Sequence, residues 1–251
     1  MVNAAPGRMT AFPLYGDRLL AYERLSGADD AKKALEMSRM REIVARFSAV
    51  NPFPLRSLDI GSATGRYPNY FAGLGFEAAG YDISADAVRI ARAAYPQVRF
   101  EQRDVIAAEP EPERYAIVTC MMGTLNHIPR ARHARLLEWV RRSLRPGGIF
   151  IGSAWNASCP HLSYIDLYSP DEIDFLRANA PRDGAEIEQL AVAAGFALGE
   201  LLPVCLLPDD FLADWRALFG EHRLHALDEH LARNLDPAHA QLLVFTLRAP
   251  D

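Results

Sequence analysis

The sequence predicts an α/β fold, a doubly wound, seven-stranded and mostly parallel sheet with helical additions, and three observations carry that prediction. From position 55 onward, short β-rich runs alternate with helical stretches of about 10–15 residues, the order that gives parallel strands joined by right-handed crossovers. The first run ends in a glycine loop, Gly61-Ser-Ala-Thr-Gly65, ahead of a helix. The chain has 251 residues, 50% apolar and 24% charged, enough to bury a full sheet and an unsuitable mixture for a disordered, collagenous or coiled-coil protein.

Taken in order, residues 30 to about 48 put Leu35, Ile43, Val44 and Phe47 on one side of a helix that stops before Asn51-Pro-Phe-Pro54. This sets a helical cap at 1–54, read as a peripheral piece, and a main domain at 55–251. Leu55 to Ile60 is the first strand, followed by a helix over Tyr67 to Leu74 closed by Gly75. Phe76 to Asp82 is the second, with Ser84 as N-cap of a helix carrying Ala87, Val88, Ala91 and Tyr95. Val98 to Asp104 and Tyr115 to Cys120 are the third and fourth. A helix with Leu136, Leu137, Val140 and Leu144 on one face is broken by Arg145-Pro-Gly-Gly148, and Ile149 to Ser153 is the fifth strand. Helices follow at 171–178 and 184–194, then a sixth strand over Phe196 to Val204. Two helices inserted at about 208–236 precede a seventh strand, Gln241 to Leu247; their stripe of Phe211, Trp215 and Phe219 reads as core.

Composition narrows the function. A net charge of −5 and a pI near 5.8 offer a phosphate backbone no attraction, so nucleic acid is not expected as a partner. Cys120, Cys159 and Cys205 are an odd number, far apart and without a CxxC pair, which fits reduced thiols in a cytoplasm. Neither a leader peptide nor a membrane-spanning stretch is legible. His222, His225, His230 and His239 lack the spacing and the completing acid or cysteine of a metal site.

In a doubly wound sheet, ligands sit beyond the carboxyl ends of the strands, where strand order reverses. Those ends carry one acid each: Asp59, then Asp82 23 residues on, then Asp104 after a further 22. The segment Leu58-Asp-Ile-Gly-Ser-Ala-Thr-Gly65 resembles motif I of class I S-adenosylmethionine-dependent methyltransferases. Gly80-Tyr-Asp-Ile-Ser84, Gln102-Arg-Asp-Val105 and Leu144-Arg-Pro-Gly-Gly148 are similar to the family's later segments, so the likeness covers residues 55 to 155.

This resemblance implies the Rossmann-like methyltransferase fold of the small-molecule type, with S-adenosylmethionine as donor and S-adenosylhomocysteine as product. Gly61, Ser62, Ala63 and Gly65 would border the methionine part, and Asp59 would face its ammonium group. Asp82 would accept from the ribose hydroxyls, with Ile83 against adenine. Asp104 would take the exocyclic amine, the Val105 backbone a ring nitrogen, and Cys120 lies beside the cofactor or packs. Ala63 stands where the family usually has glycine, a methyl tolerated at negative φ. The segment Met121 to Ile128 projects towards the transferred methyl, which makes His127 the candidate general base, or else a brace on backbone carbonyls of its turn; Asn126 reads as a local cap. The acceptor pocket is expected under the additions, from Tyr15, Tyr22, Trp155, His161 and Tyr164, or these residues are loop packing.

The function implied is methyl transfer to nitrogen, oxygen or carbon of a small metabolite, achieved mainly by alignment, in a bacterial cytoplasmic enzyme working without metal as monomer or homodimer. A donor-binding protein without transfer, acting as a sensor or through partners, is the alternative. An NAD-dependent reductase is disfavoured because a G-x-G-x-x-G match from Gly61 needs a small residue where Arg66 stands.

Overall fold

The computed structural model describes residues 17–24, 27–164, 167–181 and 183–249. Its sheet has the order β3-β2-β1-β4-β5-β7-β6. The strands are β1 (Arg56–Ile60), β2 (Glu77–Asp82), β3 (Arg99–Gln102), β4 (Tyr115–Cys120), β5 (Leu144–Trp155), β6 (Ala197–Val204) and β7 (Leu242–Arg248). Strands β1 to β5 pair in parallel, and β7 runs antiparallel between β5 and β6. Strand order reverses between β1 and β4, which opens the crevice at their carboxyl ends.

The helices are α1 (Asp17–Glu23), α2 (Gly27–Val50), α3 (Arg66–Gly73), α4 (Ala85–Ala94), α5 (His133–Ser143), α6 (Pro170–Asn179), α7 (Gly184–Ala193), α8 (Asp209–Phe219) and α9 (Glu221–Asn234). Ser84 caps α4 as its sequence predicts, its hydroxyl accepting the Ala87 N–H at 3.2 Å. Side chains alternate across each strand, so the sheet buries two apolar layers. One holds Ile117 and Ile151 with Leu35 and Met40 of α2, Phe71 of α3, Val88 of α4, Leu212 of α8 and Leu224 of α9. The other holds Leu58, Val118 and Phe150 with Leu136 and Val140 of α5 and Ile187 of α7.

Two expectations are corrected here. Helix α2 is not peripheral: it is wedged between the sheet and helices α8 and α9, burying Ala31, Leu35, Met40 and Val44 and also the charged Lys32, Lys33 and Glu36. Its flanks are tied down by Arg39 to Glu229 at 2.8 Å and by Ser38 to His225 Nδ1 at 2.8 Å. Of the α8 stripe, only Trp215 packs against the core. Phe211 and Phe219 stay 64% and 44% exposed, because Leu212 takes the inward position.

Candidate active site

Register brings the donor side together. Asp59 lies opposite Thr119 in the β1–β4 ladder and on the same side of the sheet, so the Thr119 hydroxyl donates to Asp59 Oδ1 at 2.6 Å. Asp59 Oδ2 is buried without a hydrogen-bond partner. Burial pushes the Asp59 carboxyl up to about 8 despite the Thr119 bond, and the negative charges of Asp82 and Glu36 push the same way.

The glycine loop after β1 is stapled to the end of β2. Gly61 and Ser62 N–H groups donate to the Tyr81 carbonyl at 2.8 and 3.1 Å, and the Ala63 N–H donates to Asp82 Oδ2 at 2.9 Å. The Ser84 N–H takes Asp82 Oδ1 at 2.8 Å, so Asp82 is oriented by its own loop; burial raises its pKa. Gly61 has to be glycine: at φ +72 a Cβ would meet the Thr124 side chain at 2.3 Å. Ala63 is a correction, since its φ is +45 and not negative. The left-handed turn is needed to aim its N–H at Asp82, and the methyl accepts the strain. Ile83 follows Asp82, its carbonyl accepting from the Gln102 amide at 3.1 Å. Asp104 caps its turn, Oδ1 accepting the Ile106 N–H at 2.9 Å, beside a buried Val105. Cys120 is different. Its side chain sits in the α5 layer, where burial raises its pKa, so the packing alternative describes it.

After β4 the chain makes consecutive left-handed steps at Met122 and Gly123 and then a 3₁₀ turn, Thr124–His127. His133 braces that turn, its Nε2 lying 3.0 and 2.9 Å from the Leu125 and Ile128 carbonyls. His127 Nε2 lies 3.1 Å from the Tyr168 hydroxyl. Tyr168 is held in turn by Arg18, whose guanidinium lies 5.9 Å from its ring centre and pairs with Glu172 at 2.8 Å. Asn126 is no local cap: its Oδ1 accepts the Trp155 N–H at 3.0 Å, tying the turn to the end of β5.

The expected acceptor residues divide. Trp155 and Tyr164 are both buried, with ring centres 5.7 Å apart, and Arg177 lies over the Tyr164 ring. Lys32 Nζ sits 5.6 Å from the Trp155 ring centre, bonded to Asp209 at 2.7 Å and to the Ser163 carbonyl at 3.1 Å. His161 stacks on His239, and desolvation together with that second imidazole lowers its pKa. It belongs with the Lys32–Asp209 group rather than with His127. Tyr15 and the Tyr22 side chain lie outside the described residues.

Glu36 is the residue the sequence reading missed. Its fully buried carboxylate accepts from the Met122 N–H at 2.8 Å and from the Ser153 and Tyr67 hydroxyls, which join β4, β5 and α3. The available signal was faint: the row Lys32, Glu36, Arg39 continues at helical spacing into Ile43, an apolar residue on an otherwise charged face.

A parallel sheet whose reversal point carries a glycine loop and buried carboxylates is the architecture of a nucleoside-cofactor enzyme. A family model described as a methyltransferase domain matches residues 32–201, and the chain belongs to that family, whose donor is S-adenosylmethionine. It is similar to the ubiquinone biosynthesis O-methyltransferase of Paraburkholderia phytofirmans, 33% identical over 104 residues, a stretch of 39% of this chain and 44% of that one. The chain thus matches less than half the length of that relative. Among solved structures, the Haemonchus contortus phosphoethanolamine N-methyltransferase 2 with S-adenosyl-L-methionine superposes with a TM-score of 0.64 at 19% identity, over 94% of this chain and 57% of that one. The CcbJ methyltransferase of Streptomyces caelestis gives 0.60 at 20% identity, over 95% and 99%. These two likenesses speak for the fold alone.

The residues present fit the donor. A buried carboxylate oxygen without a donor suits an ammonium.

Proposed function

We propose that this protein transfers a methyl group from S-adenosylmethionine to nitrogen, oxygen or carbon of a small-molecule acceptor in a bacterial cytoplasm, as a monomer or homodimer. The observation that carries the reading is Asp59, buried beside the glycine loop with one oxygen unpaired. Asp59 takes the donor's ammonium, Asp82 its ribose, Asp104 and Val105 the adenine edge, and Ile83 an adenine face. Gly61, Ser62, Ala63 and Gly65 border the methionine part. A net charge of −5 supports a partner other than nucleic acid, and no helix among the described residues is long and apolar enough to cross a membrane.

When bound, the donor supplies a sulfonium methyl open to in-line attack: the acceptor's lone pair forms the new bond and the C–S pair stays on sulfur. The protein's work is alignment and, for an acceptor protonated at neutral pH, proton removal. The His127 imidazole is the base, oriented through its Nε2 by the Tyr168 hydroxyl at 3.1 Å. Trp155 and Tyr164 wall the acceptor on the β5 side.

Incubation with tritiated donor and a metabolite extract tests the reading. A labelled small molecule is expected, and a protein that binds donor yet labels nothing would be a sensor instead. Asp82→Ala should weaken donor binding about 10- to 150-fold by calorimetry, the worth of one hydrogen bond to a charged acceptor. His127→Ala should lower turnover while donor affinity holds, and unaltered turnover would make it structural.

A further inference from the structure

We propose that helix α8 is the interface of a homodimer, in which two copies of this chain pack their α8 helices antiparallel about a two-fold axis. The inference goes beyond the donor chemistry and does not rest on it.

Helix α8 is apolar on two faces. Leu212 supplies the inner one and is fully buried against the core. Phe211, Trp215, Leu218 and Phe219 follow at steps of four, three and one, which places them side by side on roughly a third of the helix circumference. Phe211 is 64% exposed, Leu218 75% and Phe219 44%; Trp215 alone of the four reaches the core, its ring centre 4.5 Å from that of Phe219. A surface helix needs one apolar stripe to hold it down. A second contiguous stripe, with three large side chains in solvent, is the mark of a contact surface.

Charge says which partner fits. Arg216, the one cation within α8, is already taken by Asp30 and Glu221. The exposed side chains of Asp210 and Asp214, in the first half of the helix, have no hydrogen-bond or ion-pair partner among the described residues, and neither have those of His222 and Arg223 just past its other end. The stripe therefore has an acidic end and a basic end. Two such helices pointing the same way would set acid against acid. Pointing opposite ways, each acidic end lies against the basic end of the other copy, while Trp215 and Leu218, near the middle, meet across the axis. A bilayer surface is the wrong partner, because a helix lying there borders its apolar stripe with Lys and Arg, whereas this stripe is bordered by Asp210 and Asp214. The contact would also brace the acceptor side, since α8 begins with Asp209, the acid that holds Lys32 against Trp155.

Sedimentation equilibrium of the full chain reads the answer. A species of twice 27.9 kDa is expected at about 50 μM, the range of a modest interface. Leu218→Asp changes a side chain already 75% exposed, so its circular dichroism should match the wild type while dimer affinity falls about ten-fold or more. Phe211→Ser replaces it should that variant fail to fold. Asp210→Arg and Arg223→Asp should each weaken the dimer about three-fold, and the two together in one chain should restore it, because exchanging the ends keeps them complementary. A wild type that stays monomeric overturns the proposal, as does a dimer indifferent to the change on α8. A doubly exchanged chain that fails to recover refutes the antiparallel arrangement. A monomer that floats with phosphatidylcholine vesicles would show that the stripe meets lipid, which is equally fatal.

Discussion

The donor side of the crevice and the acceptor side meet at Gly123, yet they are assembled over very different chain distances. On the donor side the Ala63 N–H reaches Asp82 across 19 residues, and Thr119 reaches Asp59 across 60 by simple strand register. On the acceptor side Lys32 bonds Ser163 across 131 residues and Asp209 across 177. The first kind of contact is set by turn geometry and sheet pairing, which a shared fold preserves. The second depends on which buried polar side chains happen to match, and this is where one member of a fold family can differ in what it accepts.

The seam itself should be the most fragile point. A Cβ on Gly123 would stand 2.3 Å from Trp155 Nε1, and its φ is +69. Left-handed strain and overpacking together predict a loss of about 3 kcal/mol for Gly123→Ala, read as a lower denaturant midpoint. A loss under about 1 kcal/mol would mean that Trp155 swings freely and that the two sides are not in firm contact.

Lys32→Met sharpens the division next. The ammonium is fully buried while Asp209 keeps a 26% exposed side chain, so the unpaired acid is partly solvated and the loss should be about 2 kcal/mol, below the cost of breaking a fully buried pair. Turnover of an acceptor should fall with donor affinity unchanged. If donor affinity fell equally, the two sides would be one unit. Adding Asp209→Asn should recover much of the stability, a coupling that a double-mutant cycle measures.

These distances also explain what the sequence could and could not reveal. Asp59, Gly61 and Gly65 stand within a single turn of chain, and the acids at 82 and 104 follow at nearly even strand spacing, so the donor side was legible. Glu36 was not, because a helix carrying Lys32, Lys33, Glu36 and Arg39 has the pattern of a solvated surface until α8 and α9 cover it. Tyr168 was hidden for a like reason: nothing local joins it to His127, 41 residues away. The converse error arose on α8, whose aromatic stripe has core periodicity but faces outward at Phe211 and Phe219.

The donor side has its own pH signature. Burial holds the Asp59 carboxyl near 8, far above an unfolded aspartate near 3.9. Between those values the folded state binds the extra proton, so Asp59 makes stability fall as pH rises through that window. Pairing with an ammonium requires the ionised form, so donor binding at neutral pH should release a proton, and affinity should rise about ten-fold between about pH 6.5 and about pH 8. Calorimetry in buffers of different ionisation enthalpy measures the release, and Asp59→Asn should abolish it. A release that survives in the variant would place the titrating group elsewhere.

The smallest effect is expected at Ala63, and its sign separates two accounts of this residue. At φ +45 the methyl sits in a conformation that costs an alanine roughly 1–2 kcal/mol. Glycine removes that strain but loses roughly 0.5–1 kcal/mol more chain entropy on folding. The balance for Ala63→Gly is a gain of between about zero and 1.5 kcal/mol, visible as an equal or higher denaturant midpoint with donor affinity retained. If the variant is instead destabilised, the methyl is making contacts that outweigh its strain, and the donor loop would then share the acceptor side's dependence on matched side chains.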